Sequence, residues 1–252
     1  MGLAETKPVF LILIPLLMMH HDSETSFKFP NFSGPYTNTI IAFQGDAIAS
    51  NGVIEPTTMQ NDAVGRATYA LPVRLWDSKT GKTANFTTTF SFVIQNDPNF
   101  LGDGISFFIA PFQSKIPKHS YGGYLGLFTP KTALRNTKSN RIVAVEFDTH
   151  PNEWDPPFAH VGIDVNSIAS VVAVKWENHL GLITVSATVN YEAIGRNLIV
   201  TVSNNGLTTK LSHVIDLRTV LPEWVSVGFS GSTGQLIEVH KILSWTFSSS
   251  FD

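Results

Sequence analysis

Residues 142–167 read IVAVEFDTHPNEWDPPFAHVGIDVNS and hold the densest set of groups able to do chemistry in this chain. On a strand, Glu146 and Asp148 point to one face and Phe147 to the other. Two carboxylates side by side repel unless a cation or a proton lies between them. Asn152, Asp155 and His160 follow within twelve residues of Asp148, and Pro151, Pro156 and Pro157 stiffen the loop that carries them. Oxygen ligands suit calcium, and carboxylates joined by one imidazole suit manganese or a related divalent ion. A solvated acidic loop accounts for a lone Glu-x-Asp pair. It accounts less well for three acids, an Asn and a His on a rigid loop.

Two other segments offer groups to a ligand. Leu101-Gly102-Asp103-Gly104-Ile105 puts one carboxylate between glycines just before an apolar run. Alone, that pattern is a turn. Ser120-Tyr121-Gly122-Gly123-Tyr124-Leu125-Gly126 lacks the lysine and hydroxyl of a phosphate loop. Its bare glycines let a ligand reach backbone N–H groups, and a plain flexible turn reads equally well.

The elements that must position these groups are strands. In 86–94, FTTTFSFVI, the residues Phe86, Phe90, Phe92 and Ile94 share one face, with Thr88 among them. That period of two marks a half-buried strand. Similar runs recur at Phe27–Phe29, Ile40–Phe43, Ala67–Ala70, Val73–Trp76, Ile105–Ala110, Ile142–Asp148, Val161–Val165 and Val171–Trp176. They continue at Ile183–Tyr191, Leu198–Val202, Leu211–Ile215, Val225–Ser230 and Ile242–Phe247. Turn clusters separate them, as at Ser50-Asn51-Gly52. No segment has a helical apolar period, and Asp216–Leu221 reads as one helical turn closed by Pro222. Many short strands at this spacing predict an all-β jelly-roll sandwich.

Composition narrows the function classes. The 252 residues are 43% hydrophobic and 15% charged, which excludes disorder and a coiled coil. The net charge of −3 gives no overall pull toward nucleic acid or anionic lipid. With no cysteine, disulfides and thiolate chemistry are excluded. Val9–Met19, VFLILIPLLMM, is too short to span a bilayer and fits the apolar core of a secretory signal peptide. His20-His21-Asp22 makes a poor cleavage site, so residues 1–23 are read as the leader and 24–252 as one domain.

Taken in order, these segments resemble the legume lectin family. The likeness runs from SFKFPNF (26–32) to LSWTF (243–247). Between them lie FQGDA (43–47), GRATYA (65–70), DGISFFIAP (103–111), GGYLGLF (122–128) and VAVEFDT (143–149). WDPP (154–157), HVGIDVNS (160–167) and LPEWVSVGFSGSTG (221–234) complete the set. The acidic loop with WDPP and HVGIDVNS is its most specific part.

The resemblance implies a jelly-roll β-sandwich with a flat six-stranded back sheet and a curved front sheet. It implies a manganese ion held by Glu146, Asp148, Asp155 and His160. A calcium ion would be held by Asp148, Asn152, Asp155 and the carbonyl of His150, with Asp148 and Asp155 bridging the two. Ser170 would reach the manganese through a bound water. The sugar would meet the Asp103 carboxylate, the Asn152 amide, the Gly123 N–H, and backbone donors at Gln235 and Leu236 in the loop Gly231–His240. A cis peptide would join Gly102 to Asp103.

Two departures bear on the ligand. His150 stands where the family usually has Phe or Tyr to stack on the sugar, which weakens stacking. The final loop is short, as in mannose/glucose-binding members, although Gln235 and Leu236 replace the small and acidic residues usual there. Mannose/glucose-type binding is therefore favoured over galactose/GalNAc-type binding. A lectin-like defence or storage protein with weakened sugar binding is a further alternative. An enzyme is disfavoured. Jelly-roll glycosidases carry a third acid on the same strand, but here His150 and Pro151 occupy its place.

The family also implies mono- and oligosaccharide or glycoprotein partners, and homodimers in which back sheets join edge to edge, or homotetramers; an exposed edge strand near residues 24–32 would suit the edge-to-edge mode. With the leader, it implies the secretory pathway and an extracellular or vacuolar destination. Asn31-Phe32-Ser33 and Asn85-Phe86-Thr87 are glycosylation sequons. The five tryptophans and His213 and His240 read as packing residues, with a ligand-side role open for Trp154.

Overall fold

The computed structural model describes residues 24–95, 102–135, 137, 139–177 and 183–251. The expected leader lies outside the described residues. Its strands in chain order are β1 (Thr25–Phe29), β2 (Ile41–Gly45), β3 (Ile48–Ser50), β4 (Val53–Glu55), β5 (Val64–Tyr69), β6 (Val73–Arg74), β7 (Asn85–Gln95) and β8 (Gly104–Pro111). They continue with β9 (Val143–Asp148), β10 (His160–Val165), β11 (Val172–Lys175), β12 (Val185–Glu192), β13 (Asn197–Asn204), β14 (Leu207–Val214), β15 (Trp224–Ser232) and β16 (Val239–Ser250). The expected turn after Asp216 is a short 3-10 helix, Leu217–Thr219, and Asp216 accepts from the Arg218 N–H at its start. Sequence patterning missed β3 and β4, three residues each, which form a hairpin across Asn51-Gly52. Both turn residues have positive φ, the conformation that this pair of residues favours.

Two antiparallel sheets make a jelly-roll sandwich. The back sheet runs β14-β13-β12-β7-β16-β4-β3, and β1 also pairs with β16. It therefore holds eight strands, against the six expected. The long β16 explains the difference. Its start pairs with β4 at Ile242↔Ile54, its end pairs with β1 from Trp245 to Ser249, and its register against β7 shifts between Ile242 and Ser244. The front sheet runs β11-β10-β9-β8-β15-β5-β2, with β6 on β15.

The main core fills the space between the sheets. Phe90 lies among Phe107, Phe147 and Phe229, with ring centroids 4.9 to 5.9 Å apart. Thr88 is the one polar residue on the inward face of β7 named above, and it is fully buried. Its hydroxyl accepts from the Trp245 indole N–H at 2.9 Å and donates to the Thr246 carbonyl at 2.8 Å. A buried indole N–H needs such a partner, so the threonine satisfies the largest side chain of the core.

The front sheet is unusual in being buried on both faces. Every residue of β9 and β10 is buried. On β9, Val143, Val145 and Phe147 face the main core. Ala144 faces outward into a smaller core with Phe108, Leu125, Leu127, Phe128 and Ile168. The chain between β8 and β9 covers that outer face. Glu146 and Asp148 share Ala144's face by the strand period, so their carboxylates lie under a lid of protein instead of in bulk water.

Replacing Thr88 with Val keeps the shape and removes the acceptor of the Trp245 N–H. The expected cost is about 1–3 kcal/mol, read as a lower denaturant midpoint at constant slope, while Thr88→Ser stays near wild type. Equal stability of the valine and serine variants would sink this assignment.

Candidate functional site

The acid cluster is assembled by strand register. β10 lies antiparallel to β9 with His160 opposite Asp148, Gly162 opposite Glu146 and Asp164 opposite Ala144. His160, Gly162 and Asp164 share the outer face by the period of two. His160 Nε2 is 3.0 Å from Glu146 Oε1. Ligand atoms of Glu146, Asp155 and His160 all lie within 4.8 Å of one another. Asp155 arrives on the proline-stiffened loop, and its Oδ2 accepts from the Asn152 N–H at 2.8 Å. Asp148 lies just outside this trio, its Oδ1 accepting from the His150 N–H at 2.8 Å. Three of the four residues expected to hold manganese, Glu146, Asp155 and His160, are thus brought together, and Asp148 lies beside them.

Asp164 was missed by sequence reasoning. It is fully buried, and Ser170 Oγ is 2.8 Å from its Oδ1 while also bonding Glu146 Oε1. Ser170 therefore bridges the two carboxylates directly. Gly162 makes the space: a Cβ there would lie 1.9 Å from Ser170 Oγ and 2.5 Å from Glu146 Oε1. The period-two face of β10 was the available signal for Asp164. Nothing local signals Gly162.

The electrostatics fit a cation. Burial pushes the Asp148 carboxyl well up, and Glu146 and Asp155 push it further. Burial and Glu146 do the same to Asp164. Burial raises Asp155 to about 6. For His160, burial works downward, but the Glu146 hydrogen bond and charge prevail and its proton affinity rises. Glu146 Oε2, Asp164 Oδ2 and Asn152 Oδ1 are buried without a hydrogen-bond partner. Oxygens left bare among like charges are what a hard divalent ion would satisfy. Glu146, Asp148, Asp155 and His160 would hold the first ion, and Asp148, Asp155, Asn152 and His150 the second.

Beside this cluster lies a cleft of about 560 Å³, lined by Asp103, Gly123, His150, Asn152, Gln235 and Leu236 among others. All six sugar-site residues expected from the sequence therefore converge. The Gly102–Asp103 peptide is cis, as the resemblance implied. Asp103 Oδ2 is buried without a partner, and burial, then Glu238 and Asp62, push its carboxyl up to about 7. Gly123 is required by contact: a Cβ there would fall 1.8 Å from Asn152 Oδ1. Asp62, Tyr121, Tyr124 and Trp154 also line the cleft, and Trp154 stacks on Tyr124 at 5.3 Å.

The final loop is shorter than its expected bounds, because β15 runs to Ser232 and β16 starts at Val239. Asn61 Nδ2 donates to the carbonyls of Gly234 and Gln235 at 3.2 and 2.9 Å. At the loop's far end Thr149 Oγ1 donates to Glu238, whose Oε1 is 2.8 Å from His240 Nε2. His240 Nδ1 is 2.7 Å from Thr57 Oγ1. This buried chain of Thr57, His240, Glu238 and Thr149 was also missed. It ties the loop to the residue between Asp148 and His150. The sequon residue Asn31 is exposed. Asn85 is half-buried, with its Oδ1 accepting from Ala193 N–H.

Comparison with known proteins agrees with this geometry. Residues 24–252 match the family model described as the legume lectin domain. The chain is 50% identical to "Lectin 7" of Medicago truncatula, with 98% of both chains covered. It is 44% identical to the "Mannose/glucose-specific lectin" of Centrolobium tomentosum over 89% of this chain and 95% of that protein. The solved lectin from Bauhinia forficata in complex with GalNAc superposes with a TM-score of 0.83 at 40% identity, over 91% of this chain and 99% of that one.

A cation bound among these carboxylates would have to displace their protons. Asp103 and Asp155 hold protons in the folded, metal-free protein up to about 7 and 6, while the unfolded chain releases them near 3.8. The native state binds more protons between these values, so metal-free stability falls as pH rises through this window. The unfolding temperature of EDTA-treated protein is expected to drop from about pH 5 to 7.5. The gain on adding calcium and manganese should widen over the same range. A gain independent of pH would contradict metal binding at these carboxylates.

Proposed function

The chain belongs to the legume lectin family, a family of carbohydrate-binding proteins that are not enzymes, and on that premise we propose that its cleft takes mannose- or glucose-type sugars under the control of calcium and manganese. The observation that carries this reading is the buried, unpartnered Asp103 Oδ2 at the floor of the cleft, with the Asn152 side chain facing the same space. A sugar presents adjacent hydroxyls, which donate to a carboxylate and accept from an amide. Asp103 accepts, the Asn152 amide and the Gly123 N–H donate, and Gln235 and Leu236 add backbone donors.

When bound, the two ions supply positive charge that replaces the protons of the cluster. The chain's own residues do the rest. Asp155 Oδ2 holds the Asn152 backbone, and the Gly123 backbone lies against the Asn152 side chain. The Thr149 N–H donates to the Asp103 carbonyl at 3.2 Å, which links the acid strand to the sugar-binding acid. No bond is made or broken, so binding is the whole activity.

The short final loop supports mannose/glucose-type specificity, in line with the specificity for which the Centrolobium relative is named. Galactose/GalNAc-type binding is the second reading. It draws on Gln235 and Leu236 in that loop and on the Bauhinia lectin's ligand. The unpaired outer edge of β1 supports homodimers or homotetramers, which would cross-link glycans or glycoproteins by avidity. The apolar leader supports secretion to the cell exterior or a vacuole, and the sequons support a glycoprotein.

Calorimetric titration with methyl α-mannoside is expected to give saturable heat with both ions present and none after EDTA. A galactoside serves as control, and galactoside heat alone would replace the sugar preference while keeping the lectin reading. Asp103→Ala should weaken binding roughly 10- to 150-fold, the worth of a hydrogen bond to a charged group. His150→Phe should tighten it several-fold by restoring an apolar stacking face. Tight binding by Asp103→Ala would place the sugar elsewhere.

A further inference from the structure

The near-neutral total charge hides a strongly biased segment. Between Gly104 and Val145 there are six Lys and Arg and no Asp or Glu. All six lie in the connection between β8 and β9, which covers the outer face of the front sheet. Beneath it sits Arg66 on β5, 1% exposed. Burial alone lowers its proton affinity to about 10, with no acid contributing. Among the described residues it forms no ion pair with a carboxylate.

The arginine's hydrogen bonds are incomplete. Nε and Nη2 donate to the Gly126 carbonyl, and Nη1 reaches Ser114 Oγ at 3.4 Å and the Lys115 carbonyl at 3.3 Å. A guanidinium has five N–H donors, so four contacts, two of them long, leave donor capacity unused. Its flat face lies 4.7 Å from the Phe108 ring centroid. A buried charge without a counter-charge is costly, and most such groups are paired.

Arg66 also lines a cavity of about 260 Å³. Ser114, Lys115, Thr129 and Ser139 give that cavity a rim of donors, and Phe128 and Ile142 give it an apolar side. No carboxylate lines it, and it shares no residue with the cleft at Asp103. Lys131 and Arg141 each flank a lining residue in the chain.

We propose that this cavity is a second ligand site, which takes the oxyanion of a sulfate or phosphate group on the Arg66 guanidinium and the Lys115 ammonium. The unused guanidinium N–H and the Lys115 ammonium can each donate to such an oxyanion, and the charge on both donors strengthens those hydrogen bonds. The cavity is too small for a polymer chain and large enough for the anion with a short ester substituent. The proposal does not depend on which sugar the cleft prefers.

The test uses the full metal-loaded protein at low ionic strength, titrated calorimetrically with sodium sulfate and separately with phenyl sulfate, with acetate as control. Sulfate should bind saturably at one site per chain, unchanged by saturating methyl α-mannoside. Lys115→Gln is exposed and should fold normally, weakening sulfate about threefold or more. Arg66→Lys keeps the charge but loses the fork, and should weaken it about tenfold. If Arg66→Lys fails to fold, Lys115→Gln and Ser139→Ala together decide. Phenyl sulfate binding tighter than sulfate would identify an ester as the ligand, and weaker binding would identify the free ion. Absence of saturable sulfate binding, or equal affinity in the folded variants, overturns the proposal.

Discussion

Repulsion among carboxylates is the constraint around which the rest of this molecule is arranged. Glu146, Asp148 and Asp164 are buried on two neighbouring strands, and Asp155 is brought against them by a loop. A sandwich of this size has ample apolar surface to stabilise it, so such an arrangement is not there for stability. It persists because a positive charge can be placed among the oxygens. His160 supplies part of one, and Ser170 spans Glu146 and Asp164. The bare oxygens that remain mark where cations would be held, and the cleft lies beside them. Asn152 and His150 lie on the same loop as Asp155, and Thr149 is bonded to Asp103.

The two-sided burial of the front sheet is what makes this possible. In an ordinary sandwich the outer face of a sheet meets water, and acids there would be unremarkable. Here the 112–141 connection and the 149–159 loop cover that face. A second small core around Phe108 and Phe128 anchors the cover. Glycines mark the closest approaches around the site. Gly162 admits Ser170, Gly123 admits Asn152, and a Cβ on Gly234 would stand 2.9 Å from Asp103 Oδ2.

Much of this was legible in the sequence. Glu146 and Asp148 announce a shared face by their spacing, and the prolines around Asp155 announce a rigid loop. The alternation in 86–94 announces a half-buried strand, and even its exception, Thr88, proves to have a partner in Trp245. What was not legible depends on partners far away in the chain. Asp164 reads as a strand residue until its neighbour across the sheet is known. Gly162 reads as a weak strand residue until Ser170 is placed against it. Glu238 and His240 stand two apart on an apolar background, and only the fold brings Thr57 and Thr149 to them. The eight-stranded back sheet was unreadable for the same reason. Short β3 and β4 carry little pattern, and they join the sheet as a hairpin, β4 pairing with the first half of β16 and β3 with β4.

The anchoring of the final loop has an evolutionary side. Its near end is pinned through the Thr233 and Gly234 backbone to the 60–63 segment. Its far end is pinned by Glu238 and His240 inside the protein. Only Gln235, Leu236 and Ile237 lie between these two fixed posts. Insertions or replacements there can accumulate while the posts, the acid cluster and the sandwich stay as they are. Descendants of such a chain can reshape the wall of the cleft by rewriting a few residues, without having to rediscover how to fold.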